Sequence, residues 1–156
     1  MNEKIAKKVG EAHAFAAVLN KTFTDHSAVM GELFGTHAEG ITNTAIEQQK
    51  GLEAVATAAG MDEVVTTKSG KTGEKITKMG EMYVGDDWDD VAEVLEWMSF
   101  FIGGAVIHWQ LIVGAAKEMD NSDFQTTAEA GAEYYHTLLH QLKDYAEQVG
   151  KDRVNA

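Results

Sequence analysis

The sequence predicts an all-α fold: a four-helix bundle made of two helical hairpins joined by a long connector. Three observations carry that expectation. Apolar residues recur at alternating steps of three and four along four long stretches. Proline is absent from all 156 residues, which removes the commonest helix breaker. Turn signals at Gly35, at Gly60 and in the segment DNSD separate the stretches. The length suits one domain, residues 1–156, with one core.

The first helix is expected over 3–34, with Ile5, Val9, Ala12, Ala16, Leu19, Phe23, His26, Met30 and Leu33 on one seam. Gly35 ends it and Thr36 is the expected N-cap of the second helix, 37–59. That helix places Ile41, Ala45, Gln48, Leu52, Val55 and Ala59 on one face, and Gly60 closes it. Residues 60–86 read as a polar, Gly-containing connector around TTKSGKTGEK, with a short helix at 73–84. The third helix, 87–119, opens with acids at the positive end of its dipole. Its seam runs through Val91, Leu95, Met98, Ile102, Ala105, Trp109, Ile112 and Ala116. Ser122 or Asp123 is the expected cap of the fourth helix, 123–149, whose seam holds Phe124, Ala128, Gly131, Tyr135, Leu138 and Leu142. Whether the third helix runs parallel or antiparallel to the second is left open at this point.

Composition excludes several function classes. The net charge is -12, and from Glu81 to Glu147 only Lys117 and Lys143 interrupt the acids. Such a surface repels phosphate backbones and anionic lipid, so neither nucleic acid nor membrane is an expected partner. Cysteine is absent, which removes disulfides, thiolate ligands and cysteine nucleophiles and fits a cytoplasmic location. The N-terminal segment MNEKIAKKVGEAHAF mixes charges with apolar residues and reads as a helix rather than a secretion signal. GKTGEK lacks the spacing and the preceding strand of a phosphate-binding loop.

The layout of hairpin, long connection and hairpin resembles the ferritin-like superfamily, in which a crossover links the second and third helices. Within it, HWQLIVGAAKEMDNSDFQTTAEAGAEYYHTLLHQLKDYAEQVG is similar in spacing and turn placement to the last hairpin of YciF-type stress-associated proteins. FGTHAEG, the helix after it and KSGKT resemble their second helix and connector. The superfamily implies a dinuclear carboxylate site with two Glu-x-x-His motifs. Here only Glu133 with His136 matches, since Glu47 is followed three residues later by Lys50. On a helical wheel Glu133 and His140 lie opposite the Tyr135–Leu138–Leu142 seam, with His136 on a flank. The resemblance therefore implies the fold retained and the dinuclear site lost.

The remaining candidates are histidines. His26 sits in the first seam and Gln48 breaks the second, so the two are expected to face each other across the first hairpin as a polar pair or a small ligand pocket. His108 lies at the edge of the third seam, as a packing residue or a ligand-binding one. His136 and His140, spaced H-x-x-x-H beside Glu133, offer a divalent-metal site and are similar to the histidines of DinB-like bundles. The expected function is a non-catalytic binding or stress-associated protein. The alternative is a metal-binding ferritin-like or DinB-like enzyme using iron, manganese or zinc.

Met98 to Ala116 contains no charge, near the length of a membrane span. The stretch continues the third seam, and Ser99, His108 and Gln110 sit poorly in hydrocarbon. Phe100, Gly103, Gly104, Ile107, Leu111 and Gly114 are expected on the outer face of that helix. Apolar residues on both faces require two covers. The candidates for the second are the connector helix around Ile76 to Val84 and a twofold copy of the same helix. A homodimer through this outer face is the preferred expectation, with the connector at its rim.

Overall fold

The computed structural model describes all 156 residues and is all-helical, with no strand. Its elements are α1 (Glu3–Asp25), α2 (Ser27–Phe34), α3 (His37–Ala58), α4 (Asp62–Val84), α5 (Val91–Glu118) and α6 (Ser122–Asn155). Gly35 and Gly60 follow α2 and α3 at φ of 56° and 63°, a left-handed conformation that glycine enters without a Cβ penalty.

Two expectations about the elements are corrected. The stretch 3–34 is broken at His26, whose φ of -119° and ψ of 40° leave the helical region. The break re-aims the chain: Val29, Met30, Leu33 and Phe34 stay buried, while the half-buried His26 ring turns onto Trp88. The connector 60–86 is in fact a complete helix, α4, rather than a loop with a helix at 73–84. Its buried positions are Val65, Ser69, Ile76, Gly80 and Val84, a helical stripe whose small residues hide it from hydrophobic periodicity.

Caps explain the other boundaries. Asn121, not Ser122 or Asp123, caps α6 by accepting the Phe124 N–H at 2.9 Å. Asp90 caps α5 through the N–H groups of Ala92 and Glu93, which moves the start of that helix from 87 to 91. Asp90 also receives a hydrogen bond from Arg153, tying down an α6 that runs past the expected residue 149. Thr36 precedes α3, but its side chain makes no capping bond.

Side-chain pairs fix the directions. The turn at Gly35 reverses the chain and brings Glu53 of α3 back to His13 of α1. Glu11 against His108 and Phe15 against Phe101 make α1 and α5 antiparallel. Lys117 with Glu129, and Asp90 with Arg153, do the same for α5 and α6. α3 and α5 therefore run in the same direction, both opposed to α1. Packing joins α1 to α3, α3 to α6, α6 to α5 and α5 to α1. α4 lies along α1 in parallel, since Gly10 meets Val65 and Gly73 meets Val18.

Size complementarity holds the interior together. Trp109, Tyr135, Phe34, Phe124, Leu19 and Leu52 are among the fully buried side chains. The Trp109 ring occupies the space where Gly131 has no side chain: a Cβ there would lie 2.1 Å from two ring carbons. The α1–α4 contact works the same way, because a Cβ on Gly10 would meet the Val65 carbonyl oxygen at 2.7 Å. By length and composition α5 alone is apolar enough to cross a membrane, yet Met98, Ile102, Trp109 and Ile112 on it are buried by neighbouring helices.

Candidate functional site

The structure does not bring His26, Gln48 and His108 together. His26 stacks face to face on Trp88, 3.9 Å between ring centroids and 8° between planes, beside the α4–α5 connection. Burial lowers its pKa, with Asp25 opposing and Lys21 assisting that shift. It lines a shallow cavity of about 250 Å³ with Lys21, Asp25 and Trp88. Gln48 lies elsewhere. Its register on α3 follows from Gly51 against Thr127 of α6 and Thr44 beside Tyr134, which sets Gln48 level with Gly131 and Trp109. Both polar atoms of its amide are buried and unpartnered, as are the Trp109 indole nitrogen and the Tyr135 hydroxyl. The expected His26–Gln48 pair fails because the His13–Glu53 contact sets the α1–α3 register, which puts Gln48 level with Val18, about two turns before His26.

Glu133, His136 and His140 are exposed on α6, with the two imidazole rings 5.0 Å apart in an edge-to-face arrangement. No group of three or more His, Asp or Glu side chains is arranged to hold a metal ion. A dinuclear site needs several inward carboxylates, so the residues present do not fit one.

His108 stands in a different setting from the other candidates. Its Nδ1 donates to the Gly104 carbonyl oxygen at 2.8 Å, which points Nε2 toward Glu11 at 3.5 Å. Its ring packs on Phe15, with centroids 4.7 Å apart. Glu11, nearly buried, also binds Lys8 at 2.8 Å and Lys68 at 3.0 Å. Desolvation alone would raise the Glu11 pKa, but the two lysine hydrogen bonds outweigh it and hold the carboxyl below its ordinary value.

This cluster forms the polar wall of a groove of about 330 Å³ between α1, α4 and α5. Its apolar side holds Phe15, Ile76, Met79, Trp97, Phe100 and Phe101. Thr72 and Lys75 of α4 and Gly104 of α5 complete the lining. Gly104 therefore belongs to the α1 side of α5, where a Cβ would lie 3.3 Å from Phe15, and not to the outer face assigned to it by the wheel.

Sequence reasoning missed a second polar cluster. His13 bonds Ser69 through Nδ1 at 2.7 Å and Glu53 through Nε2 at 3.0 Å, linking α1, α4 and α3. Its members resemble a hydrolytic triad only in type. Ser69 is buried in the middle of α4, where the backbone N–H groups are committed to the helix and offer no oxyanion hole. The cluster is a tie between three helices.

The outer face of α5 is partly covered. α4 reaches it at one end, with Gly80 against Trp97 and Tyr83 edge-on to Phe100 at 5.3 Å. Even there Phe100 remains 62% exposed, and beyond that end Ile107 and Leu111 are 61% and 51% exposed. No family model, curated protein or solved structure matches this chain.

Proposed function

We propose that this chain is a non-catalytic helical-bundle protein of ferritin-like topology that works as a homodimer, by binding rather than by turnover. The topology reading is supported by the parallel run of α3 and α5, with α4 as the crossover between two antiparallel pairs. A cytoplasmic role belongs to the same proposal, since a cysteine-free chain gains nothing from an oxidising compartment.

The observation that carries the dimer is the size pattern along the exposed stripe of α5. A twofold axis crossing antiparallel copies at Ile107 sets Phe100 of each copy against Gly114 of the other. The same axis sets Leu111 against Gly103, and Ile107 against itself. Every large residue but the central one meets a glycine. A Cβ on Gly103 or Gly114 would touch nothing within 4 Å in the single chain. Each glycine costs about 1 kcal/mol of helix propensity against alanine, so two on an open face gain their use only when another backbone approaches. Met79, Met82 and Tyr83 of α4 are exposed too and widen the patch toward the roughly 800 Å² per partner of a stable interface.

Sedimentation velocity tests the proposal. The wild-type chain is expected at twice the chain mass, and Ile107→Glu as a folded monomer. A wild-type monomer at all concentrations overturns the dimer. Metal analysis of protein purified with iron, manganese and zinc present tests the other half. Stoichiometric metal that is lost in His136→Ala would replace the binding role with the metal-dependent one.

A further inference from the structure

We infer that the groove between α1, α4 and α5 is a binding site for a small aromatic monocarboxylate. The inference rests on the reading of the chain as a binding protein and names what it binds. It does not require the dimer, and of the dimer patch only Phe100 and Met79 also border the groove.

Size sets the first limit. A groove of about 330 Å³ stands at the lower end of ligand pockets, which run from roughly 300 to 1,000 Å³. That admits two fused rings with a short polar group and excludes a nucleotide or a long acyl chain. The walls select the body of the ligand. Phe15 and Phe101 are nearly buried with centroids 5.2 Å apart, Trp97 stands 6.3 Å from Phe101, and Phe100 forms an exposed lip. Rings set at tilts of 49° leave faces and edges for a flat aromatic guest.

Charge sets the polar end. The ionisable lining consists of Lys68, Lys75, Glu11 and His108. Glu11 is already satisfied by Lys8 and Lys68. Lys75 makes no ion pair and stands one turn from the Thr72 hydroxyl on the same face of α4. Lys68 is committed to Glu11, so Lys75 is the lining cation left without an acidic partner, and a single carboxylate offsets it. In a chain of net charge -12 this local excess is against the trend. It makes the groove selective for an anion, because the rest of the surface repels one. The ligand's ring lies against Phe15, Trp97 and Phe101, and its carboxylate accepts from Lys75 and Thr72.

Titration with 2-naphthoate, followed by tryptophan emission and by calorimetry on the full chain, tests this. Saturable binding of one naphthoate per chain is expected. Lys75→Ala should weaken it about tenfold, the loss expected for a charge-assisted hydrogen bond. The neutral naphthalene-2-methanol should bind correspondingly weakly, and Thr72→Trp, which fills the groove, should abolish binding. Lys75 is exposed, so Lys75→Ala keeps the test decisive if Thr72→Trp misfolds. No saturation by millimolar naphthoate overturns the inference, and so does binding that Lys75→Ala leaves unchanged. Sedimentation of the same samples separates the two proposals. A dimer that ignores naphthoate removes the ligand and leaves the dimer standing, whereas a monomer that binds it does the reverse.

Discussion

Gly131→Ala is the sharpest single test of the packing described above. The added Cβ would lie 2.1 Å from Cε3 and Cζ3 of Trp109, where carbon contacts ordinarily begin near 3.5 Å. The indole must move by roughly 1.5 Å to relieve that, by the same contact distance. Trp109 is wholly buried, stacked on Tyr135 at 6.0 Å, and has no open side to move into. At this depth of overlap overpacking costs about 3 kcal/mol, the upper end of the usual range, and the alanine returns about 1 kcal/mol of helix propensity. A net loss of about 2 kcal/mol lowers Tm by roughly 4–8 °C in a chain of this length. Thermal melts followed by circular dichroism measure it. Gly70→Ala is the matched control, because its Cβ would meet nothing within 4 Å, and it should raise Tm slightly. If Gly131→Ala melts at or above wild type, the Trp109–Gly131 contact is not as described.

Two further outcomes follow from buried polar groups. Burial disfavours the charged form of His26, so the unfolded chain takes up the proton first. The stability this residue contributes is complete above pH 6.5 and is lost as pH falls from there through the lowered folded pKa. Urea midpoints at pH 7.5 and pH 5.5 should therefore differ more in wild type than in His26→Phe, which keeps the ring on Trp88; equal differences would contradict this. Gln48→Met removes an amide whose two polar atoms are buried without partners and keeps its length. It should stabilise the chain by about 1–3 kcal/mol. A loss of stability in urea would show that the amide is satisfied.

Legibility in the sequence tracked side-chain chemistry. The seams of α1, α5 and α6 were readable because large apolar residues recur along them at a helical period: Leu19 and Phe23, Ile102 and Trp109, Leu138 and Leu142. The second buried face, with Glu11, Phe15, Trp97 and Phe101, was not, because it faces α4 and the groove. α4 was not readable either, because it meets α1 through Ser69, Gly73 and the facing Gly10, and α5 through Gly80, and a contact made by small residues carries no hydrophobic signal. The break at His26 was hidden for the opposite reason. The seam continues in register through Met30, and the bend serves the stacking of His26 on Trp88, a residue far along the chain. Among site residues, His108 at the margin of its seam was identifiable from the wheel. The partners that give it meaning, Glu11 and Lys68, lie on two other helices and share no motif with it. The His13–Ser69–Glu53 tie was invisible for the same reason.

The absence of cysteine makes the dimer axis directly measurable. A single Ile107→Cys lies on the proposed twofold, where glycines on both sides let the two backbones come close enough for a disulfide, about 4.4–6.8 Å between Cα atoms. Mild oxidation of dilute protein should convert Ile107→Cys to a covalent dimer in nearly full yield. Ala130→Cys, exposed on α6 away from that face, should stay monomeric on a denaturing gel. A failure of Ile107→Cys to cross-link, or equal cross-linking of both variants, would contradict the α5 interface.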